Sequence, residues 1–258
     1  PDYFHKVVDC QWACPAHTPV PEYIRLIAAG RYDDAYMINW ESNVFPGILG
    51  RTCDRPCEPA CRRGRVEENN GEKPEPVAIC RLKRVAADHK SDIRSLLPKS
   101  RKSNGKRIAC VGAGPASLTV ARDLAPIGYQ VTVFDGDPKA GGFMRTQVPR
   151  FRLPESVIDE ETGYILDLGV EFQGGRRIDS MKALLDDGYD AIFVGCGAPR
   201  GRDLDLPGRP RATVRVARID DAVGLDRDRR QQAGREAVLA QVGDTEGRAE
   251  LRCAADIE

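Results

Sequence analysis

The chain has 258 residues, enough for one large domain or two modest ones that each bury a core. About four residues in ten are apolar, and basic and acidic residues cancel at 39 each, which removes any global electrostatic case for binding nucleic acid or a membrane surface. No apolar run approaches the roughly 20 residues of a membrane-spanning helix, and there is no signal-peptide h-region; for a chain that opens on Pro1 and reads as lacking its own start, a cytoplasmic location is the expectation.

From Pro1 to about Ile93 the pattern is helical, interrupted by irregular cysteine loops. In "HTPVPEYIRLIAAGRY", Thr18 is the candidate N-cap and Pro21 sits in the first turn. Tyr23, Ile24 and Ile27 form an apolar face, and Gly30 is the expected C-terminal stop. "YDDAYMINWESN" predicts a second helix with acids near its N-terminus, where the helix dipole favours them. "EENNGEKPEP" is a polar loop, and "VAICRLKRVAADHK" predicts a third helix with Ile79, Leu82 and Ala86 on one buried face. Residues 94–105 read as a basic, proline-interrupted, solvated linker.

At Lys106 the texture changes. "KRIACVGAGPASLTVARDLAPIGYQVTVFDGD" is strand, glycine turn, helix, turn, strand and acid, a βαβ unit about 30 residues long. "GGFMRTQVPRFRLP" is a long loop, "ESVIDEETGYILDLGVEF" a helix running into a strand, and "DAIFVGCGAP" a buried strand ending in a glycine turn. From Arg211 to Glu258 there is no aromatic residue, lysine or proline and only weak periodicity, and this tail is assigned no domain. The expected class is thus a multidomain α+β chain: an all-α domain over 1–93, a linker over 94–105, a Rossmann-like α/β domain over 106–210 and an unassigned tail over 211–258.

The glycine turn has a specific chemistry. Gly112 makes the tight turn after the strand, and Gly114 lets the backbone approach a pyrophosphate. The following helix offers unpaired N–H groups to that anion, and Ser117 is small enough for close helix–strand packing. Asp135, just over twenty residues after Gly112, is placed to accept from a ribose. An acid there disfavours a 2′-phosphate, so NADP is not expected at this site.

Six of the nine cysteines (Cys10, Cys14, Cys53, Cys57, Cys61 and Cys80) fall in the first 80 residues. In "RTCDRPCEPACRRG", residues 53, 57 and 61 would share a helix face, but Pro56 and Pro59 oppose a helix and predict a wrapping loop. Structural zinc takes four ligands from short-spaced pairs. Cubane clusters take four thiolates, commonly from close runs plus a remote cysteine followed by proline, as in Cys14–Pro15. Six clustered cysteines exceed one zinc site and suit one complete [4Fe–4S] cluster with two ligands over; zinc and independently buried thiols remain the alternatives. Cys110 and Cys196, inside apolar strands, read as packing residues, and Cys253 is given no role. His5, His17 and His89 are isolated, with surface or capping roles.

Taken together, "CQWACPAHTPVPEYI", "NVFPGILGRTCDRPCEPAC", "PVAICRLKRVAAD" and "GAGPASL…GYQVTVFDGDPKAGGFMR…VPRFRLP", in that order, resemble the small (beta) subunit of glutamate synthase and the related amino-terminal part of dihydropyrimidine dehydrogenase, over about residues 8 to 208. The resemblance implies a helical domain with two [4Fe–4S] clusters ahead of an FAD domain that carries an inserted NADPH domain. It implies that Cys14, Cys53 and Cys57 share one cluster, with Cys80 near the expected fourth ligand. Cys10 and Cys61 would belong to the other, whose remaining ligands come from an upstream pair. It further implies that FAD is held by Gly112, Ala113, Gly114, Pro115 and Ala116 at the pyrophosphate and by Asp135 at the adenosine ribose. Gly141, Gly142, Phe143, Arg152 and Ile178 would also contact it, and Gly195 and Gly197 would form the glycine turn beside the flavin. After "LPGR" the family's second glycine fingerprint and the return of its FAD sheet are not visible, which predicts an incomplete FAD domain with an exposed sheet edge.

The expected function is an FAD and iron–sulfur oxidoreductase subunit that passes electrons from NAD(P)H to clusters and on to a larger catalytic partner, with no general base or nucleophile of its own and no role for nucleic acid or membrane. A non-catalytic cluster-bearing electron-relay or docking module is the alternative, and a zinc-stabilised binding module a third reading. A flavin thiol–disulfide oxidoreductase would need a close cysteine pair in the flavin domain, which Cys110 and Cys196 do not form in sequence.

Overall fold

Proline and glycine punctuate the first ninety residues into short helices. The computed structural model describes residues 8–65, 71–198 and the strands 239–243 and 249–253. Asp9–Ala13 (α1), Val20–Ala28 (α2), Tyr32–Asn43 (α3), Pro46–Thr52 (α4) and Ile79–His89 (α5) make up the first unit, residues 1–97 with 152–157. Pro21 lies in the first turn of α2 and Pro46 in that of α4, where a missing N–H costs nothing. Gly30 ends α2 as expected, at φ +73° with its N–H on the Ile27 carbonyl at 2.9 Å.

Thr18 does not cap α2. The cap position falls on Pro19, with no side-chain cap, and Thr18 is 1% exposed with its hydroxyl engaged by α3. Val44 closes α3 at φ +65°, an uncommon conformation for a β-branched residue, held by burial of Val44 and Phe45. Gly50 lets α4 cross α5 closely: a Cβ there would lie 2.9 Å from the Arg84 backbone. The core of this unit joins Val20, Tyr23, Ala35, Ile79 and Ala86 to two cysteines, Cys57 and Cys80, with Leu82 half-buried against them.

Arg51 and Arg84 both bond the Asp88 carboxylate, Arg51 at 2.5 Å and Arg84 at 3.0 Å. Burial alone would raise the Asp88 pKa; the two arginines outweigh it and hold the carboxyl below its usual range. A carboxyl whose folded pKa is depressed adds stability above its unfolded value and loses it as pH falls through the folded one. Urea unfolding of Asp88→Asn followed between neutral and acid pH will therefore show a smaller acid loss of stability than wild type, and an unchanged acid loss would contradict this role.

The second unit, residues 98–151 with 158–258, is an α/β layer. Arg107–Val111 (β1), Pro115–Leu124 (α6), Gln130–Asp135 (β2), Phe143–Thr146 (α7), Glu155–Leu166 (α8), Glu171–Gly174 (β3), Met181–Asp186 (α9) and Ala191–Val194 (β4) follow in order. The strands form a parallel sheet of order β3–β2–β1–β4, with Ile108 opposite Val131 on one side and Ala191 on the other. Strand β1, between two neighbours, is almost wholly buried, as its apolar run requires. Residues 98–104 lie on this unit: Arg101 N–H donates to the Pro126 carbonyl, Asn104 N–H to that of Gly128, and Ser100 Oγ to that of Leu168.

Three details differ from the sequence reading. The "FMRT" stretch of the long loop is a turn of helix, α7. Strand β4 is an edge among the described residues, alternating exposed and half-buried, so its apolar run does not make it a buried strand. Cys196 lies beyond the end of β4, half-buried, whereas Cys110 is fully buried within β1. Of the tail, Leu239–Gly243 (β5) and Ala249–Cys253 (β6) pair antiparallel, and the rest lies outside the described residues.

Candidate cofactor sites

In the helical unit, chain breakers present the thiols. Helix α1 carries Cys10 and stops at Cys14, which is extended (φ −78°, ψ 124°) because Pro15 disfavours helix at the residue before it. Cys53 caps α4 in extended conformation, and residues 56–60 run as turns around Pro56 and Pro59, so no helix carries Cys53, Cys57 and Cys61. Arg55, at φ +61°, turns its N–H onto the Cys53 sulfur at 3.3 Å. Cys80 occupies the second position of α5, where the positive end of the helix favours a thiolate, and its N–H donates to Glu58 Oε1 at 3.1 Å.

These three stretches converge. Hydrogen bonding from Cys80 is the largest influence on Cys57 and pulls its pKa down, aided by the Lys83 charge and opposed by burial. Cys80 raises the pKa of Cys53, with burial adding to it. Cys53 acts to lower that of Cys80, but Cys57 and burial outweigh it and push Cys80 up to about 11. Cys57 also feels Cys14. Cys53, Cys57 and Cys80 are therefore coupled, with the pKa of Cys57 lowered and those of the other two raised.

Cys10 and Cys61 form a separate pair: burial raises the Cys10 pKa most, and Cys61 adds to it. Tyr23, fully buried with its hydroxyl on the Ile79 carbonyl at 3.1 Å, has its pKa raised by burial and then by Cys57, Cys80, Cys10 and Cys14, which places both thiol groups around one phenol.

The donor set fits a cubane. Among the described residues no three His, Cys, Asp or Glu side chains close on a point that a single ion could occupy, which is what zinc would need. Four thiols on loops and helix ends, one of them accepting the Arg55 backbone N–H, suit the wider body of a [4Fe–4S] cluster. Cys14 Sγ lies 3.5 Å from Thr18 Oγ1, and Thr18 is tied to Ser42 and Asn43 of α3 at 3.2 Å each. Sequence reasoning missed this polar support because Thr18 looked like a helix cap.

In the Rossmann unit, three glycine segments meet. Gly112, at φ +94°, leaves no room for a side chain: a Cβ would lie 2.5 Å from the Gly195 carbonyl oxygen. Gly141 N–H donates to the Ala113 carbonyl at 2.8 Å, and a Cβ on Gly142 would lie 2.8 Å from Gly114 Cα. Gly114 itself, the N-cap of α6, has only the Gly195 oxygen near its Cβ position, at 3.9 Å. Pro115 and Ala116 open the helix beside it. Asp135 accepts from Ala113 N at 2.5 Å and from Asp137 N at 2.8 Å, so it fixes the glycine turn, and each oxygen keeps a lone pair for a ribose hydroxyl.

Phe143 follows on α7, 53% exposed. Arg145, a residue not singled out from sequence, pins this loop through the Ala140 carbonyl at 2.9 Å and Asp159 at 2.6 Å.

Ile178 packs against Ala109, Val111, Phe134, Leu184 and Tyr189. Gly197 adopts φ +72° with open space around its Cβ position. Arg152 belongs to the helical unit, where its Nε donates to the Arg51 carbonyl at 3.0 Å. His17 stacks near Trp12, and His89 ends α5 facing Tyr32, both consistent with surface roles; His5 lies outside the described residues.

Comparison with known proteins agrees with this division. Residues 5–94 match the family described as dihydropyrimidine dehydrogenase domain II, 4Fe-4S cluster, and residues 110–185 match an NAD(P)-binding Rossmann-like domain. The chain is 35% identical over 224 residues to the NADP(+)-dependent formate dehydrogenase subunit beta of Moorella thermoacetica, covering 77% of this chain and 31% of that protein. It is 33% identical over 211 residues to the glutamate synthase [NADPH] small chain of Mycobacterium tuberculosis, covering 81% and 42%. It is 31% identical over 199 residues to a Salmonella typhi homologue of the NAD-dependent dihydropyrimidine dehydrogenase subunit PreT, covering 76% and 47%. The chain thus spans less than half the length of these relatives.

Proposed function

A chain whose residues 5–94 belong to the 4Fe-4S family of dihydropyrimidine dehydrogenase domain II, and whose residues 110–185 are a Rossmann-like NAD(P)-binding domain, is, we propose, the electron-entry part of an FAD and iron–sulfur oxidoreductase. It takes electrons originating in NAD(P)H and hands them to a larger catalytic subunit, as the names of its relatives suggest for those proteins. The observation that carries the reading is the mutual influence of Cys14, Cys53, Cys57 and Cys80, drawn from three separate stretches of sequence. No helix among the described residues is long and apolar enough to cross a membrane.

The chain's own residues divide the work. Cys14, Cys53, Cys57 and Cys80 would hold one cubane, and Cys10 with Cys61 would contribute to a second. Gly112, Gly114 and the N-terminus of α6 would take the FAD pyrophosphate, Asp135 the adenosine ribose, and Gly141, Gly142 and Phe143 the adjoining wall. Bound there, FAD supplies the conversion of a two-electron hydride into single electrons, which a cubane carries one at a time. The Arg55, Thr18 and Glu58 contacts fix the loops that present the sulfurs.

An anaerobic absorption spectrum tests the reading. Flavin bands over a broad iron–sulfur shoulder, bleached by NADPH or NADH, are the expected result. The same bands without bleaching would make the chain a relay module. A colourless protein containing zinc would overturn both readings.

A further inference from the structure

One buried cation in the helical unit has no counter-ion among the described residues. Arg51 is paired with Asp88, and in the other unit Arg145 is paired with Asp159. Lys83 is equally buried, 5% exposed, yet makes no hydrogen bond or ion pair among the described residues. It stands three residues after Cys80 on α5, so the two side chains share a helix face. Its charge acts on Cys53, Cys57 and Cys80 alike. Arg81 and Arg84, its basic neighbours in sequence, are exposed.

Burying an ammonium without a counter-charge is costly. The groups its charge is seen to act on are thiols, and these become permanent negative charges only when a cluster holds them deprotonated.

We infer that Lys83 is the built-in counter-charge of the Cys14, Cys53, Cys57 and Cys80 site, raising its reduction potential; this rests on the cubane reading above. Each electron that enters the site adds one negative charge and no proton, and a fixed ammonium whose charge acts on three of the four thiols offsets that charge in the reduced state more than in the oxidised one. Lys83 acts through the thiolates, as a positioning charge, and touches no substrate. It would keep the site reducible by a flavin of moderate potential, where a cubane among neutral groups would be harder to reduce.

The test is an EPR-monitored potentiometric titration, with dithionite as reductant, of the full chain reconstituted with iron and sulfide, reading the signal that Cys57→Ser abolishes. Lys83→Met and Lys83→Gln should lower the potential of that signal by at least about 60 mV, a tenfold shift in a one-electron equilibrium. Lys83→Arg should hold it near wild type. Loss of iron from Met and Gln variants but not from Arg would support the charge role as well. An unchanged potential in Lys83→Met, or loss of iron from all three variants, would overturn the inference while leaving the cubane reading intact. A wild-type chain that takes up no iron and sulfide would sink that reading and this inference with it.

Discussion

Cys57→Ser will purify with at least about tenfold less iron than wild type. Cys57 is a buried thiol whose pKa is lowered, chiefly because Cys80 donates to its thiolate. A serine hydroxyl in that position stays protonated at neutral pH and is a hard, weak ligand for iron, so one corner of the site is lost outright. The three remaining thiols are one short of the four that a cubane takes, and Cys61 acts on Cys10 as a separate pair. Cys110→Ala provides the contrast. Cys110 is buried in β1 with its pKa raised to about 11 by burial alone, so it packs and does not ligate, and its removal will leave iron content unchanged. Iron assay with sulfide determination on both variants checks the pair; equal iron in Cys57→Ser and wild type would refute the assignment of this thiol.

The second large effect is in the glycine turn. Gly112→Ala will destabilise the Rossmann unit by about 3 kcal/mol, from left-handed backbone strain together with overpacking. The added methyl would lie 2.5 Å from the Gly195 oxygen and 2.7 Å from Cys196 Cα, both backbone atoms that cannot swing aside. Gly114→Ala will behave differently. Gly114 has φ −78° and only one atom near its Cβ position, so alanine there should leave folding stability within about 0.5 kcal/mol of wild type. If Gly114 is where the backbone approaches a pyrophosphate, the same methyl will weaken FAD retention by about tenfold or more. Denaturant unfolding and the flavin content of each purified variant separate the two outcomes. A Gly114→Ala protein that keeps both its stability and its flavin would remove Gly114 from the binding site.

The division into a cysteine-bearing helical part and a Rossmann part was legible because both signals are local. Prolines 56 and 59 forbid a helix wherever the rest of the chain goes, and a glycine turn between an apolar strand and a helix announces itself within ten residues. What depended on distant partners was not legible. Thr18 precedes a helix as caps do, but its hydroxyl is taken by Asn43 and Ser42, more than twenty residues on. The apolar run of β4 looks like an interior strand, yet strand order places it at the edge. Lys83 lies in "RLKR" among exposed basic residues, and only the packing of α5 against the cysteine loop shows which of them is buried. Gly195 meets Gly112 because β4 lies beside β1, a neighbour relation that no local pattern encodes.

Iron and acid-labile sulfide measured on the anaerobically purified chain, alongside zinc, bear most directly on the convergence of the four thiols. Equal amounts of iron and sulfide, at no less than one cubane per chain and lost when Cys14, Cys53, Cys57 or Cys80 is replaced, are the predicted result. Stoichiometric zinc without sulfide, or a cluster indifferent to all four substitutions, would contradict it.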